Sequence, residues 1–176
     1  RRAGKLADAL EGLRYLCALD NMETHADLIA GLPLYHLSQI FDDVRTLAEY
    51  RAGEIQLESL KLLPGTEMRR RAEELGICYS PLPPYEVLQT REITPDELQT
   101  ARQLSRLLDG FYNASAWQEI TRRLIVEEPD FLTRLLDHLI QIGVIDQPMG
   151  LERRGILLYH FCKEHYPLFL TAMSRA

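Results

Sequence analysis

Residues 25–68, HADLIAGLPLYHLSQIFDDVRTLAEYRAGEIQLESLKLLPGTEM, confine this chain more tightly than any other stretch, because the spacing of apolar side chains changes twice within them. The run Ala26-Asp27-Leu28-Ile29-Ala30 ends at Gly31-Leu32-Pro33, as a buried strand ends when Gly and Pro turn the backbone out of a sheet. Leu34, Leu37, Ile40, Phe41, Val44, Leu47 and Ala48 then recur at three- and four-residue steps, one face of a helix. Gly53 supplies a stop, and residues 55–60 are short enough for a second strand. Strand, crossover helix and strand make a βαβ unit, whose two strands lie parallel in one sheet.

Ligands of α/β sheets collect beyond the carboxyl ends of the strands, where loops converge. Gly31-Leu32-Pro33 and Lys61-Leu62-Leu63-Pro64-Gly65-Thr66 occupy that position. DLIAGLP at 27–33, LKLLPGT at 60–66 and PPYEVL at 83–88, in that order, resemble the late part of the radical SAM barrel. The subgroup most similar carries a cobalamin-binding domain upstream and an uncharacterised helical domain downstream; DLI-x-GLP also occurs in oxygen-independent coproporphyrinogen oxidases. The resemblance covers residues 6–136. It implies the end of a TIM-like barrel in residues 1–77, a Pro-rich connector in 78–92 and an α-helical domain in 93–176. The expected fold class is therefore an α/β fragment, mostly α, with two parallel strands and crossover helices followed by helices.

The resemblance further implies a parent enzyme that binds a [4Fe-4S] cluster and S-adenosylmethionine, with cobalamin in the look-alike subgroup, and cleaves the S-adenosylmethionine to a 5′-deoxyadenosyl radical. Oxidative cyclisation and methyl transfer both occur among such enzymes. Their three cluster ligands sit in one Cys-x3-Cys-x2-Cys loop, because three thiolates must meet three irons. Cys17, Cys78 and Cys162 are scattered, so the ligands are expected outside this chain, which by itself carries no catalytic residue. Near the end of the fifth barrel strand the family has a pattern close to Gly-x-Ile-x-Gly-x-x-Glu. Ile29 and Gly31 match its Ile and second Gly, whereas Asp27 and Leu34 depart from it. The resemblance thus places Ile29 and Gly31, with Leu62 and Leu63 after the next strand, against the adenine of the cofactor. Aliphatic walls and exposed amides suit such a flat apolar ring with polar edges.

The hydrophobic content of 46% and charged content of 26% describe a globular chain. A net charge of −6 works against binding nucleic acid through phosphate neutralisation. Arg69-Arg70-Arg71 is interspersed with Glu67, Glu73 and Glu74, a solvated helix face. No apolar run reaches the ~20 residues of a membrane span, and three unclustered cysteines fit reduced thiols, so a cytoplasmic setting is expected. The implied partner is a small-molecule substrate of the parent enzyme, not a membrane or a nucleic acid. A rival reading is a non-catalytic helical module that recognises a protein.

Elsewhere, Leu6, Ala9, Leu10, Leu13, Leu16 and Cys17 predict an amphipathic helix over 5–19, with Cys17 as a packed thiol. His25 stands alone and reads as a structural imidazole. Thr94-Pro95-Asp96-Glu97 is a capping box with Pro at the first helical position, and Ser115-Ala116-Trp117-Gln118 offers a second. Helices are expected from Pro129 to Gly143 and from Leu151 to Tyr166, with a last turn over 168–173. His160, Cys162 and His165 lack the spacing of a zinc site. Phe111-Tyr112-Asn113 either lines a cleft or makes an ordinary interhelical contact. Two parallel strands leave unpaired edges, which are expected to be hidden by self-association or by the helix at 5–19 and the Pro-rich stretch.

Overall fold

Both changes of apolar period are real boundaries. The computed structural model describes residues 6–19 and 22–173, so Lys5, where the first helix is expected to begin, lies outside the described residues. The helix α1 is Leu6–Cys17, β1 is His25–Ala30, α2 is Leu37–Glu49 and β2 is Glu54–Ser59. β1 and β2 pair in parallel, His25 opposite Glu54 and Ala30 opposite Ser59. The chain is a mostly helical α/β protein with one two-stranded parallel sheet, as the sequence implies.

Alternation along the strands gives the sheet two unlike faces. Ala26, Ala30, Ile55 and Leu57 are buried on one, together with Ile40, Val44, Leu47 and Ala48 of α2. His25, Asp27, Gln56 and Glu58 are exposed on the other, where His25 Nδ1 lies 2.6 Å from Glu54. The crossover helix starts three residues later than its apolar spacing predicts: Leu34 has φ 62 and is 81% exposed, so it belongs to the turn, and His36 is the N-cap.

The stop at the end of α2 also differs from expectation. The left-handed residue is Arg51, with φ 64, and Ala52 N–H closes the turn on Leu47 O at 3.0 Å. Gly53 serves a different purpose. A Cβ there would stand 3.0 Å from the carbonyl oxygen of Thr24, and Gly53 N–H donates to Thr24 Oγ1 at 2.9 Å. Cys17 is half-buried, its Sγ 3.3 Å from the same hydroxyl, rather than sunk in a core.

After β2 come two short helices, α3 (Glu67–Arg70) and α4 (Ala72–Leu75), the second ending at Gly76. The Pro-rich stretch supplies β3 (Cys78–Tyr79) and β4 (Val87–Gln89), which pair antiparallel. Its loop is closed at the base by Ser80 N–H to Glu86 O at 2.8 Å. Helix α5 (Pro95–Leu107) opens with the expected capping box: Thr94 Oγ1 accepts from Glu97 N–H, and Glu97 accepts from Thr94 N–H at 2.8 Å. It runs into a π-helical turn over Leu108–Tyr112, and α6 (Gln118–Glu127) follows.

The chain forms two compact units, Arg1–Pro129 and Asp130–Ala176. The first holds the sheet, α1 to α6 and the Pro-rich stretch. The second contains α7 (Phe131–Gln141), α8 (Leu151–His165) and α9 (Pro167–Met173). Its core sets Phe131 edge-on to Phe161 and Tyr166, with centroids 6.2 and 5.9 Å away. Tyr166 OH donates to Asp130 at 2.8 Å, and Arg134 pairs with the same carboxylate at 3.1 Å. These bonds hold the Asp130 carboxyl below the usual range, Tyr166 contributing most. No helix among the described residues is long and apolar enough to cross a membrane.

Candidate functional site

The parallel pair sends both its following loops to one end of the sheet, the carboxyl ends of β1 and β2. Ile29 is 38% exposed and Leu63 53% exposed there, with Leu34 and Leu82 projecting further, so this rim carries uncovered aliphatic surface. The other two residues singled out in the sequence are committed to packing. Gly31 has φ +91, and a Cβ there would meet Val87 Cγ1 at 3.2 Å, so its open side is filled by β4. Leu62 is 1% exposed. Its N–H donates to Tyr85 O at 2.9 Å and its carbonyl accepts from Arg69 at 3.0 Å, which engages both of its backbone groups.

Arg69 fixes this loop and was not visible as special in the sequence. Its guanidinium lies 5.1 Å from the Tyr79 ring centroid and 4.6 Å from that of Tyr85 while holding Leu62 O. The charge-run reading of Arg69-Arg70-Arg71 holds for Arg71, which pairs with Glu74 at 2.7 Å, but not for Arg69. Proximity of two tyrosines across a Pro-rich loop was the missing signal.

The sheet's other notable feature is its outer edge at β2. In a parallel ladder alternate residues face alternate neighbours: Glu54 and Leu60 donate to β1, at Thr24 and Ala30, so Ile55, Leu57 and Ser59 turn outward. Asn113 answers Ile55 with both ends of its amide: Ile55 N–H donates to Oδ1 at 3.0 Å and Nδ2 donates to Ile55 O at 2.9 Å. Tyr112 OH donates to Ala52 O at 2.6 Å and Gln118 to Gly53 O at 2.6 Å. Burial pushes the Tyr112 phenol well above its ordinary pKa, so it remains a donor. At Ile55 and the two residues leading into β2, side chains from residues 112–118 thus take the place of a neighbouring strand. The π-helical turn positions them, since its five-residue step adds one residue between α5 and Asn113.

The second capping box does not form. Trp117 is the N-cap of α6 and makes no side-chain cap, because Gln118, the box's far member, is drawn to Gly53.

A family model described as "Protein of unknown function (DUF4080)" matches residues 73–171. The chain belongs to the DUF4080 family. The DUF4080 segment includes Tyr112, Asn113 and Gln118, so it is this family's part of the chain that clasps β2, which lies just before the match. No curated protein matches the sequence.

Among the described residues no group of three His, Cys, Asp or Glu side chains comes close enough to hold a metal ion. Cys162 is buried among apolar side chains, and burial pushes its thiol up to about 11. Cys78 is exposed. Ile29 and Leu63 leave aliphatic surface uncovered, whereas Gly31 and Leu62 are packed against other residues.

Proposed function

We propose that this chain is the distal portion of a radical SAM iron–sulfur enzyme of the cobalamin-associated type, an oxidative cyclase or a methyltransferase. In that reading its cluster ligands are supplied by other residues than these. The observation that carries the reading is the parallel β1–β2 pair with both loops at one end and uncovered Ile29 and Leu63 beside them. When bound, S-adenosylmethionine with its cluster supplies a 5′-deoxyadenosyl radical. The role of this chain is to wall one side of the nucleoside: Ile29 and Leu63 offer aliphatic surface to the ring, and Arg69, between Tyr79 and Tyr85, keeps the Leu62–Leu63 turn in place.

The test is to prepare, without oxygen, a polypeptide containing these residues and the closely spaced cysteines of the parent. Iron, sulfide and 5′-deoxyadenosine are then measured. Stoichiometric cluster and 5′-deoxyadenosine formation that falls about 10-fold in Leu63→Asp is expected, the cost of setting a carboxylate against an apolar ring. Absence of both products from such a preparation would overturn the reading.

A second reading rests on α8. Leu151, Ile156 and Tyr159 are each more than half exposed, which suits a helical module that recognises another protein. Loss of a partner on Ile156→Lys, with cleavage activity absent throughout, would favour it instead.

A further inference from the structure

Helix α8 turns Leu158, Phe161 and Cys162 into the core of its own unit. Away from them, Glu152, Ile156, Tyr159 and Lys163 follow at steps of four, three and four residues, which sets them on one line along the helix. All four are exposed, Ile156 by 52% and Tyr159 by 53%. Glu152 and Lys163 have no ion-pair partner among the described residues. The line thus carries a carboxylate at one end, an ammonium at the other and an apolar pair at its centre. Arg153 and Glu164, also exposed, repeat the pattern along one flank with the signs exchanged.

We propose that α8 is a homodimer contact, in which two copies of the helix pack antiparallel about a two-fold axis between Ile156 and Tyr159. A two-fold interface sets one surface against itself, so the surface must complement its own reverse. Reversal about the midpoint of this line brings Glu152 opposite the partner's Lys163 and Ile156 opposite the partner's Tyr159, each pair occurring twice. A parallel pairing would set each charge against its own kind, which repels. Ile156 and the tyrosine ring bury apolar surface together, while the phenol hydroxyl stays in water at the rim. The line is about 16 Å long at a rise of 1.5 Å per residue. A single helix pair of that length buries less than the roughly 1,200–2,000 Å2 of a standard interface, so the dimer is expected to be weak, with a micromolar Kd. A separate protein as occupant would need no such self-complementarity. The contact uses none of the residues proposed to wall the nucleoside, so either proposal can fail without the other.

The test is sedimentation equilibrium of the full chain from low-micromolar to submillimolar concentration, where a reversible monomer–dimer equilibrium is expected. Ile156→Asp weakens it by about 10-fold or more, because the carboxylate enters the apolar centre twice. Glu152→Lys or Lys163→Glu alone weakens it about 10-fold, each turning two attractive pairs into two repulsive ones. An equimolar mixture of Glu152→Lys and Lys163→Glu chains associates within about 3-fold of the unaltered protein, since the mixed pair again sets opposite charges together at both ends. These two substitutions lie on the exposed face and carry the reading if circular dichroism shows that Ile156→Asp fails to fold. A chain that stays monomeric, as it would if a different protein covered α8, would overturn the proposal. So would a dimer unaffected by a folded Ile156→Asp, or a mixture no tighter than its components.

Discussion

Asn113 does for β2 what a neighbouring strand would do, with one side chain. An amide is the only uncharged side-chain group that can donate and accept at once in the geometry of a peptide, so it pairs with both backbone groups of Ile55. Asn113→Ala should cost about 1–3 kcal/mol, because it leaves a part-buried N–H and C=O without partners. Urea denaturation measures the loss, and hydrogen exchange at the Ile55 amide should accelerate with it. Unchanged Ile55 protection would show that the clasp adds nothing. The cysteines offer a second measurement. Burial raises the Cys162 thiol to about 11, so below that pH it is protonated and unreactive, whereas Cys78 is exposed. Iodoacetamide at pH 8 should modify Cys78 in the folded protein and Cys162 only after denaturation.

The helix starts show how local chemistry and tertiary demand divide the work. Thr94 and Glu97 satisfy each other's backbone donors with no help from distant residues, and the box is readable from four letters. Ser115-Ala116-Trp117-Gln118 carries the same pattern, but its Gln is worth more on Gly53 O, where it meets a strand edge. Thr94→Ala should therefore destabilise by about 1 kcal/mol, lowering Tm by roughly 2–4 °C for a chain of this size, while Ser115→Ala should stay within about 0.5 kcal/mol. The Thr94 backbone N–H holds the Glu97 carboxyl below its ordinary range, the Thr94 hydroxyl adding to it. Since its folded pKa is depressed, this stabilisation is present above the ordinary carboxylate pKa and is lost as pH falls through the lower folded value. Glu97→Gln should flatten that acid limb in a pH series of thermal melts.

At the scale of the molecule, the two compact units differ in how much core each can assemble. Among the described residues the first contains the parallel sheet, the β3–β4 pair, α1 to α6 and the clasp, and the second α7 to α9 around Phe131, Phe161 and Tyr166. A unit of fewer than about 50 residues lies near the limit at which a hydrophobic core suffices. Residues 1–129 prepared alone should melt cooperatively by circular dichroism, and residues 130–176 alone should show a broad, shallow transition. A sharp melt of the smaller piece would refute this ranking.

The βαβ unit and the capping of α5 were legible in the sequence, because each follows from the period of apolar residues or from bonds within four positions. The start of α2 was misplaced by three residues, since a left-handed Leu34 leaves no mark in hydrophobic spacing. Leu62, Gly31 and the β2 edge were decided only by tertiary structure. Leu62 and Gly31 read as open to a ligand until Tyr85, Arg69 and Val87 are brought onto them from up to 56 residues away. The partner of an unpaired strand edge is a matter of distance in space, and Asn113 reaches Ile55 across 58 positions of chain. Nothing in the order of residues records that approach.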